Sequence, residues 1–189
     1  MKLIRAPQVL LEGPTAIRPL AREDASALLA ARARSRVHLA PWEPVRDATY
    51  FTLEWQRSLC ELSERAWVED TAYGFAVVEG TELVGGVNLS NVVRGAWHNC
   101  TVGYWLAADA TGLGHATRAL RLALGFAFVY AELHRVQAAI IPTNTASLAV
   151  VRRVGMRHEG TALRYLRIAG AWQDHEIFAT TLEDWLDRS

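Results

Sequence analysis

A helix that is apolar on nearly all sides constrains the fold of this chain more than any other feature. The hydrophobic pattern predicts this helix over Ala116–Val129. Its narrow polar stripe consists of Arg118, Arg121 and Gly125. Strand patterns precede the helix at Cys100–Leu106 and follow it at Arg135–Ile141. The order of strand, buried helix and strand predicts a right-handed crossover in which the helix covers one face of a sheet.

Further periodic segments extend this unit in both directions. The other predicted strands are Ala16–Leu20, Ala72–Glu79, Leu83–Leu89 and a terminal hairpin of Thr161–Ile168 with Trp172–Thr180. One predicted helix begins at Arg22–Asp24 and has an apolar face of Ala25, Leu28, Leu29, Ala33 and Val37. A second is capped by Asp47 and has an apolar face of Ala48, Phe51, Trp55, Leu59, Leu62 and Ala66, and a third spans Thr145–Val154. The patterns predict an α/β (α+β) fold with a mixed sheet of about six to seven strands and about four flanking helices. We expect a single domain over residues 1–189, with its core at about 15–182.

The length and charge of the chain exclude several classes of protein. With 189 residues, it is long enough for one ordinary domain and too short for two. The 20 Lys and Arg residues balance 20 Asp and Glu residues, so bulk charge favours neither a nucleic acid nor a membrane as partner. Two cysteines fit a reducing compartment, Met1–Pro7 lacks the apolar segment of a signal peptide, and the longest apolar run, Leu122–Ala131, is too short to span a membrane. We therefore expect a cytoplasmic protein.

A glycine-containing loop joins the strand Cys100–Leu106 to the buried helix. Gly112 and Gly114 allow several amides and the positive end of the helix dipole to face one spot, which suits an anion and preferably a phosphate. The same glycines are equally compatible with a turn that only begins a helix. No Lys-Ser/Thr follows as in a Walker loop, and Thr117 stands where a dinucleotide fingerprint needs a third glycine. The loop therefore argues against a nucleotide-binding α/β protein.

Two polar residues begin the helix predicted over Thr145–Val154. Asn144 is a good N-cap, and Ser147 falls at the third helical position, so capping explains both residues when they are considered alone. Ligand contact is the alternative interpretation. Glycines within the strand Leu83–Leu89, Gly85 and Gly86, predict a β-bulge or a close approach of another part of the chain.

Considered in order, these segments resemble one enzyme superfamily. The matching segments are Gly103–Leu106, Gly112-x-Gly114-x-Ala116, the buried helix, Leu133–Val136, Asn144-x-x-Ser147 and Gly155-Met156. Their order and spacing are similar to those of the GNAT superfamily of acyl-CoA-dependent N-acetyltransferases. Within it, the sequence resembles the RimJ/RimL-type branch of ribosomal-protein N-terminal acetyltransferases. The resemblance extends from Ile17–Pro19 to Gly170–Asp174.

The resemblance implies a central pair of strands that splay apart, with acetyl-CoA bound as co-substrate at the splay. The pantetheine arm would pair with Tyr104, Trp105 and Leu106 and contact Asn144 and Ser147. The pyrophosphate would lie in the glycine loop, on Gly112, Leu113, Gly114, His115, Ala116 and Thr117. A strand amide would polarise the thioester carbonyl as negative charge develops on it.

Two catalytic groups of many family members are absent from this chain. Thr101 stands at the position of a catalytic glutamate, and Val151 stands at that of a tyrosine proton donor. Ser147 matches the residue proposed as proton donor in the RimL-like branch. An α-amine has a pKa of about 7.7–8.0, so roughly a tenth of it is free at pH 7, whereas deprotonating a lysine near 10.4 costs about 4.6 kcal/mol. The missing base therefore favours a protein N-terminus or another amine of low pKa.

The acceptor amine is predicted to bind near the loop between the first two helices. The resemblance places Trp42 and Glu43 in the acceptor groove, where Glu43 would meet a cationic amine or act as a base through water. Glu43 is equally compatible with a solvated acid beside a core tryptophan. Asn88 and Tyr165 are further candidates for the acceptor site, and Asp174 is interpreted as structural.

Several residue types are not expected to take part in the chemistry. The six histidines lack the spacing of metal ligands, so we expect no metal. The seven tryptophans are interpreted mainly as core residues. Neither cysteine is placed to carry an acyl group.

The leading hypothesis is direct acetyl transfer from acetyl-CoA to the α-amine of a protein or peptide N-terminus. A small amine or an antibiotic is the alternative acceptor within the same class of enzyme. An acyl-CoA sensor or scaffold that has lost catalysis is the alternative from another class. Family members are often homodimers, and the tryptophan-bearing second helix offers a surface for such contact.

Overall fold

The computed structural model describes residues 9–188, so the expectation about Met1–Pro7 lies outside the described residues. Within this range the strands form one eight-stranded sheet in the order β1-β2-β3-β4-β5-β6-β8-β7. They are β1 (Leu10–Glu12), β2 (Thr15–Pro19), β3 (Tyr73–Glu79), β4 (Glu82–Val93), β5 (Asn99–Leu106), β6 (Arg135–Ile140), β7 (Arg157–Ile168) and β8 (Ala171–Thr181). Among these eight strands of residues 9–188, β5 and β6 are the only parallel neighbours, and the other neighbouring strands are antiparallel. The strand that the sequence analysis missed is β1, which is too short to show an alternating pattern.

Helices cover both faces of the sheet. The described helices are α1 (Ala25–Arg34), α2 (Arg36–Leu39), α3 (Leu53–Val68), α4 (His115–Gly125), α5 (Thr145–Arg153) and α6 (Leu182–Leu186). On one face, α1 and α3 contact each other and the strands β4 and β3, whereas α4 and α5 pack together over β5 and β6. The prediction of about four helices was too low because α2 and α6 are single short turns, which hydrophobic periodicity does not reveal.

The two parallel strands in the middle of the sheet separate soon after they pair. Their partners are Asn99 with Arg135, Cys100 with Val136 and Thr101 with Gln137. Beyond Thr101, β5 stays bonded to β4 as far as Leu106, while β6 stays bonded to β8 as far as Ile140. One edge of β5 over residues 102–106 therefore has no strand partner among residues 9–188. The splayed central pair that the family resemblance implied is confirmed.

The predicted apolar helix is the centre of the larger core. Ala119, Leu120, Ala123 and Leu124 of α4 are buried. The helix then continues as a π-helical turn over Phe126–Tyr130, in which the amide of Ala131 donates to the carbonyl of Phe126. The wider turn places the Phe126 ring 5.0 Å from the ring centres of Tyr73 and Phe75. The helix was thus predicted in the right place, and its last turn has a different geometry.

The apolar face predicted for the first helix is partly wrong. The chain bends at Ser35, so α1 ends at Arg34 and α2 begins at Arg36. The Ser35 hydroxyl accepts a hydrogen bond of 3.0 Å from the amide of Ala108, which holds the bend in place. Leu39 is consequently buried, whereas Val37 is 88% exposed.

The second predicted helix begins later than its sequence pattern indicates. Asp47 accepts hydrogen bonds from the amides of Thr49 and Tyr50, but it caps a 3-10 turn over Ala48–Phe51. Thr52 has an extended backbone and separates this turn from α3, where its hydroxyl accepts a hydrogen bond from the amide of Trp55. A single helix over both segments was therefore the wrong prediction.

The apolar face of α3 does not enter the core. Gln56 and Cys60 are the buried residues of this helix, whereas Trp55 is 44% and Leu62 is 51% exposed. Trp97 and Trp172 are also exposed, so the assignment of most tryptophans to the core holds for only part of them. The exposed face of α3 lines a cleft.

Candidate active site

The cleft lies between α3 and the strands β3, β4 and β5 and has a volume of about 590 Å³. Three of the four residues predicted for the acceptor side, Trp42, Glu43 and Asn88, line it together. Tyr104 and Trp105, predicted to contact the cofactor, line it as well. The cleft therefore reaches β5 beside the point where β5 leaves β6.

One wall of the cleft is apolar and the opposite wall is formed by the strands β3, β4 and β5. The apolar wall consists of Trp55, Leu59, Leu62 and Ala66 of α3. The opposite wall contains three glycines, Gly74, Gly86 and Gly103, together with larger side chains of the same strands, among them Phe75, Asn88 and Trp105. An extended segment of polypeptide fits such a cleft, because the edge of β5 beyond Thr101 leaves strand backbone unpaired close to the apolar face of α3.

Gly85 and Gly86 allow Trp105 to approach β4 closely. A Cβ atom on Gly85 would lie 2.4 Å from the carbonyl oxygen of Trp105, and one on Gly86 would lie 2.7 Å from its indole Nε1. The pairing also shifts by one residue, because Val77 pairs with Gly85 and Val78 pairs with Leu83. Both predicted roles of these glycines, a bulge and a close approach, are confirmed.

The residue beside Glu43 is an arginine that was not among the predicted site residues. Arg32 of α1 donates a hydrogen bond to Glu43 Oε1, and its guanidinium carbon lies 3.7 Å from the centre of the Trp105 ring. The Arg32 side chain is 13% and the Glu43 side chain is 20% exposed. Glu43 is thus neither a solvated acid nor an isolated one. The available signal was spacing: Arg32 follows Leu28 by four residues and so lies on the inward face of α1.

Ser147 and Tyr104 meet across the splay between β5 and β6. The Ser147 hydroxyl donates a hydrogen bond of 2.8 Å to the Tyr104 hydroxyl, which donates one of 3.1 Å to the carbonyl of Ser147. Burial raises the pKa of Tyr104 to about 12, against the opposing effect of the hydrogen bond from Ser147. Tyr104 therefore stays protonated at neutral pH and is available only as a neutral hydroxyl.

The glycine loop has the backbone of a helix-terminal anion site. Gly112 and Gly114 have positive φ angles of 78° and 83°, which a side chain would disfavour. The first hydrogen bond of α4 runs from the amide of Arg118 to the carbonyl of Gly114, so the amides of residues 115–117 precede any intrahelical acceptor. Arg118 Nη1 donates to the carbonyl of Leu113 at 2.9 Å, which brings a cation to the loop.

The side chain of His115 points away from this loop. It is 1% exposed, and its Nδ1 lies 2.8 Å from the hydroxyl of Thr15. His115 therefore offers a ligand its backbone amide and not its imidazole. The side chain of Leu113, in contrast, is exposed.

Asn144 caps α5. Its side-chain oxygen accepts a hydrogen bond of 3.1 Å from the amide of Ser147, which confirms the capping role. The amide nitrogen of the Asn144 side chain remains a donor for a ligand. The two interpretations of Asn144 are thus compatible.

Tyr165 lies apart from the group in the cleft. It belongs to a bulged part of β7 and is half-exposed, with its ring 5.6 Å from that of His175. Asp174 accepts a hydrogen bond of 2.7 Å from the amide of Arg164 inside the same bulge, in agreement with a structural role.

The comparison with protein families identifies the architecture. A profile described as "Acetyltransferase (GNAT) domain" matches residues 15–157, which is more than half of the chain. The chain belongs to the GNAT acetyltransferase family. It is therefore an acyltransferase, and the family resemblance of its motifs is confirmed.

Similar proteins narrow the branch of the family to the RimJ-like acetyltransferases. The [ribosomal protein uS5]-alanine N-acetyltransferase of Escherichia coli is 36% identical over 86% of this chain and 84% of its own. A solved structure of Mycobacterium smegmatis RimJ in complex with CoA-disulfide is 36% identical, with a TM-score of 0.87 over 90% of this chain and 83% of that one. The ribosomal-protein-S5-alanine acetyltransferase of Vibrio fischeri is 33% identical, with a TM-score of 0.88 over 94% and 98%.

The cysteines of this acetyltransferase are not placed for covalent chemistry. Cys60 and Cys100 are both buried and free. Burial raises the pKa of Cys60 to about 11, with a further contribution from nearby acids, and raises that of Cys100 to about 12. Neither thiol is appreciably ionised at neutral pH, so neither is a nucleophile for an acyl group.

Among residues 9–188, no three His, Cys, Asp or Glu side chains are grouped so that they could hold a metal ion. No helix in this part of the chain is long and apolar enough to cross a membrane.

Proposed function

We propose that this acetyltransferase transfers the acetyl group of acetyl-CoA to the α-amine of a protein N-terminus, as a ribosomal-protein-alanine N-acetyltransferase does. The observation that carries the proposal is the cleft, which is open and lies between the apolar face of α3 and the strands β3, β4 and β5, beside the free edge of β5. A surface of this kind suits a peptide segment better than a compact small molecule. The 36% identity to the Escherichia coli enzyme that acetylates an alanine N-terminus supports the same choice.

The residues around the splay fit acetyl-CoA. The amides of residues 113–117 and the guanidinium of Arg118 suit the pyrophosphate. The free edge of β5 over Tyr104–Leu106 suits the amide groups of the pantetheine arm, and the free nitrogen of Asn144 is a further donor. When bound, acetyl-CoA supplies the activated acetyl group as a thioester. Mycobacterium smegmatis RimJ is described as a complex with CoA-disulfide, which supports this cofactor.

Glu43 is proposed to orient the acceptor amine, and Arg32 to hold Glu43 in position. Arg32 occupies Oε1 of the carboxylate, and no hydrogen bond to Oε2 occurs among residues 9–188. The second oxygen can therefore accept a hydrogen bond from an ammonium group or from a water beside it. Because roughly a tenth of an α-amine is already deprotonated at pH 7, an oriented carboxylate is sufficient without a strong base. Trp42 and Asn88 complete the acceptor side.

Ser147 is proposed to donate a hydrogen bond to the departing sulfur, with Tyr104 as the residue that positions it. The two hydroxyls are already 2.8 Å apart. For this step the Ser147 hydroxyl turns its proton from Tyr104 to the sulfur, and the Tyr104 hydroxyl turns from the Ser147 carbonyl to donate to Ser147 Oγ. A thiolate with a pKa near 8.5 needs little acid assistance, so this contribution to the rate is modest.

Thiol release from acetyl-CoA tests the proposal. The purified protein is offered peptides that begin with Ala, Ser, Thr or Met, alongside a panel of small amines and aminoglycosides. We expect release with at least one peptide and an acetyl group that mass spectrometry maps to the α-amine. Turnover on small amines alone would instead indicate an enzyme of small-molecule metabolism or antibiotic resistance. Acetyl-CoA binding without any release would instead favour a sensor or scaffold.

A ribosomal-protein substrate also implies a cytoplasmic enzyme. The family resemblance further implies a homodimer, which light scattering on the purified protein tests directly.

A further inference from the structure

A second pocket of about 310 Å³ adjoins the cleft and is lined by basic and aromatic side chains. It lies between α1, α2, the loop 43–46, the 3-10 turn 48–51 and the tip of the β7–β8 hairpin. Its basic and aromatic members are Arg32, Arg36, Arg46, Tyr50 and Phe51. The pocket and the cleft adjoin at four residues that line both, Arg32, Glu43, Arg46 and Tyr50.

The walls of this pocket are held in place by the backbone. The amide of Ala169, at the tip of the hairpin, donates a hydrogen bond of 3.0 Å to the carbonyl of Glu43. The left-handed backbone of Ala169, with φ of 49°, makes this tight tip possible. This hydrogen bond therefore ties the hairpin tip to the loop 43–46, and the pocket lies between these two segments.

The pocket carries a local excess of positive charge. Arg32 is neutralised by Glu43, the acid that lines the pocket. Arg36 and Arg46 have no carboxylate within ion-pair distance among the described residues. Asp47, the next residue, uses its carboxylate to cap the turn at Thr49 and does not line the pocket. Two uncompensated guanidinium groups thus face one small space.

Aromatic rings pre-organise both guanidinium groups. The guanidinium carbon of Arg36 lies 4.7 Å from the centre of the Phe51 ring, and that of Arg46 lies 4.5 Å from the centre of the Tyr50 ring. Stacking on a ring fixes the plane of a guanidinium while its N–H donors remain free at the edge. Planar donors of this kind match the two oxygens of a carboxylate.

We infer that this pocket binds an acidic side chain of the acceptor peptide, downstream of the amine that is acetylated. The inference rests on the proposed function, because it extends the same acceptor site. A peptide whose N-terminus lies at Glu43 can place a later side chain in the pocket through the lining that the two cavities share. The enzyme would then favour N-terminal segments with Glu or Asp at one of the positions that follow the first residue.

Matched peptides test this inference. A peptide that begins with Ala is prepared with Glu, Gln or Lys at each of positions 2 to 6, and its KM and kcat are measured. At one position we expect the KM for Glu to be about two to five times lower than for Gln, with Lys weakest, as for a partly exposed ion pair. At 0.5 M NaCl this preference should shrink, since salt screens exposed charges.

Variants of the protein separate this site from bulk charge. Arg36→Gln and Arg46→Gln should each reduce the preference for Glu over Gln, and the double variant should abolish it. Arg57→Gln removes an exposed arginine of α3 that lines neither cavity and should leave the preference unchanged. All three arginines are exposed, so thermal melting should show folded proteins.

Two results would overturn the inference while the proposed function stands. The first is equal KM for Glu and Gln peptides at every position. The second is an equal loss with both peptides in the Arg36 and Arg46 variants, which would indicate a structural role. Failure to acetylate any peptide would instead refute the proposed function.

Discussion

The pairing of Arg32 with Glu43 provides the sharpest test of how the acceptor site is organised. We consider Arg32→Met, Glu43→Gln and the double variant. Methionine keeps a long, flexible side chain but removes the charge and the hydrogen bond to Glu43 Oε1. Glutamine keeps the shape of Glu43 and an oxygen that can still accept a hydrogen bond from Arg32.

The structure sets the size of each effect. Arg32→Met loses a cation–π contact at 3.7 Å, worth about 1 kcal/mol, and leaves a largely buried carboxylate without its partner, at a further cost of about 1–2 kcal/mol. Glu43→Gln should cost about 1 kcal/mol, because a neutral hydrogen bond replaces a charged one. In the double variant no charge is left unpaired, so its loss should be smaller than the sum by about 1 kcal/mol.

Urea unfolding measures the stability terms, and kcat/KM on an accepted peptide measures the effect on the site. We expect Arg32→Met to lower kcat/KM for the peptide about tenfold and to leave the KM for acetyl-CoA unchanged. Arg34→Met is the matched control on the same helix, because Arg34 pairs with the exposed acids Glu82 and Asp109. It should cost less than about 1 kcal/mol. Free energies that add within about 0.3 kcal/mol would refute the coupling of Arg32 to Glu43.

The residues beside the departing thiol, the glycine loop and the Arg18–Asp24 pair each offer one further test. Ser147→Ala and Tyr104→Phe should each slow turnover less than about a hundredfold, and the effect should shrink with an acyl donor whose thiol is more acidic. Complete loss of activity in a folded variant would contradict the modest role assigned to these residues. Gly114→Ala places a Cβ 3.2 Å from Arg118 Nη1 at a φ of 83°, so it should destabilise the protein by about 1 kcal/mol and raise the KM for acetyl-CoA, whereas an unchanged KM would argue against the loop as the anion site. Burial would raise the pKa of Asp24, but hydrogen bonds from Arg18 and a backbone amide outweigh it and hold the pKa below its ordinary value. The stability that this pair contributes is therefore present above about pH 4 and lost as the pH falls further, and Asp24→Asn should cost about 2 kcal/mol at pH 7 and flatten that acid loss in urea titrations.

The second half of the chain could be predicted because its local signals agree with one another. The buried helix, the glycines at its start and the strands around it each specify one conformation, and α4 begins one residue from its predicted start. Gly85 and Gly86 also predict a close approach of another part of the chain, and Trp105 makes this approach. Periodicity, turn chemistry and order along the chain together determine this unit.

The first half shows where such reasoning fails. An amphipathic pattern such as that of α3 states which face is apolar, and both a core and an open cleft satisfy it. The face with Trp55 and Leu62 lies in the cleft, and the polar residue Gln56 is buried instead. The pairing of Arg32 with Glu43 depends on how two segments meet in space, so no local pattern in either segment reveals it.

The short pairing of β5 with β6 has a consequence for how the enzyme exchanges its substrates. The sheet separates the helices on its two faces, and the splay after Thr101 is an opening between those faces. The side chains of neighbouring β5 residues point to opposite faces of the sheet. That of Tyr104 reaches Ser147 of α5, whereas that of Trp105 reaches Arg32 of α1. Under the proposed function, acetyl-CoA and the acceptor therefore enter from opposite faces of the sheet and meet only at the splay. Substitutions on the acceptor face of the sheet can change which N-termini are modified without disturbing the face that binds acetyl-CoA.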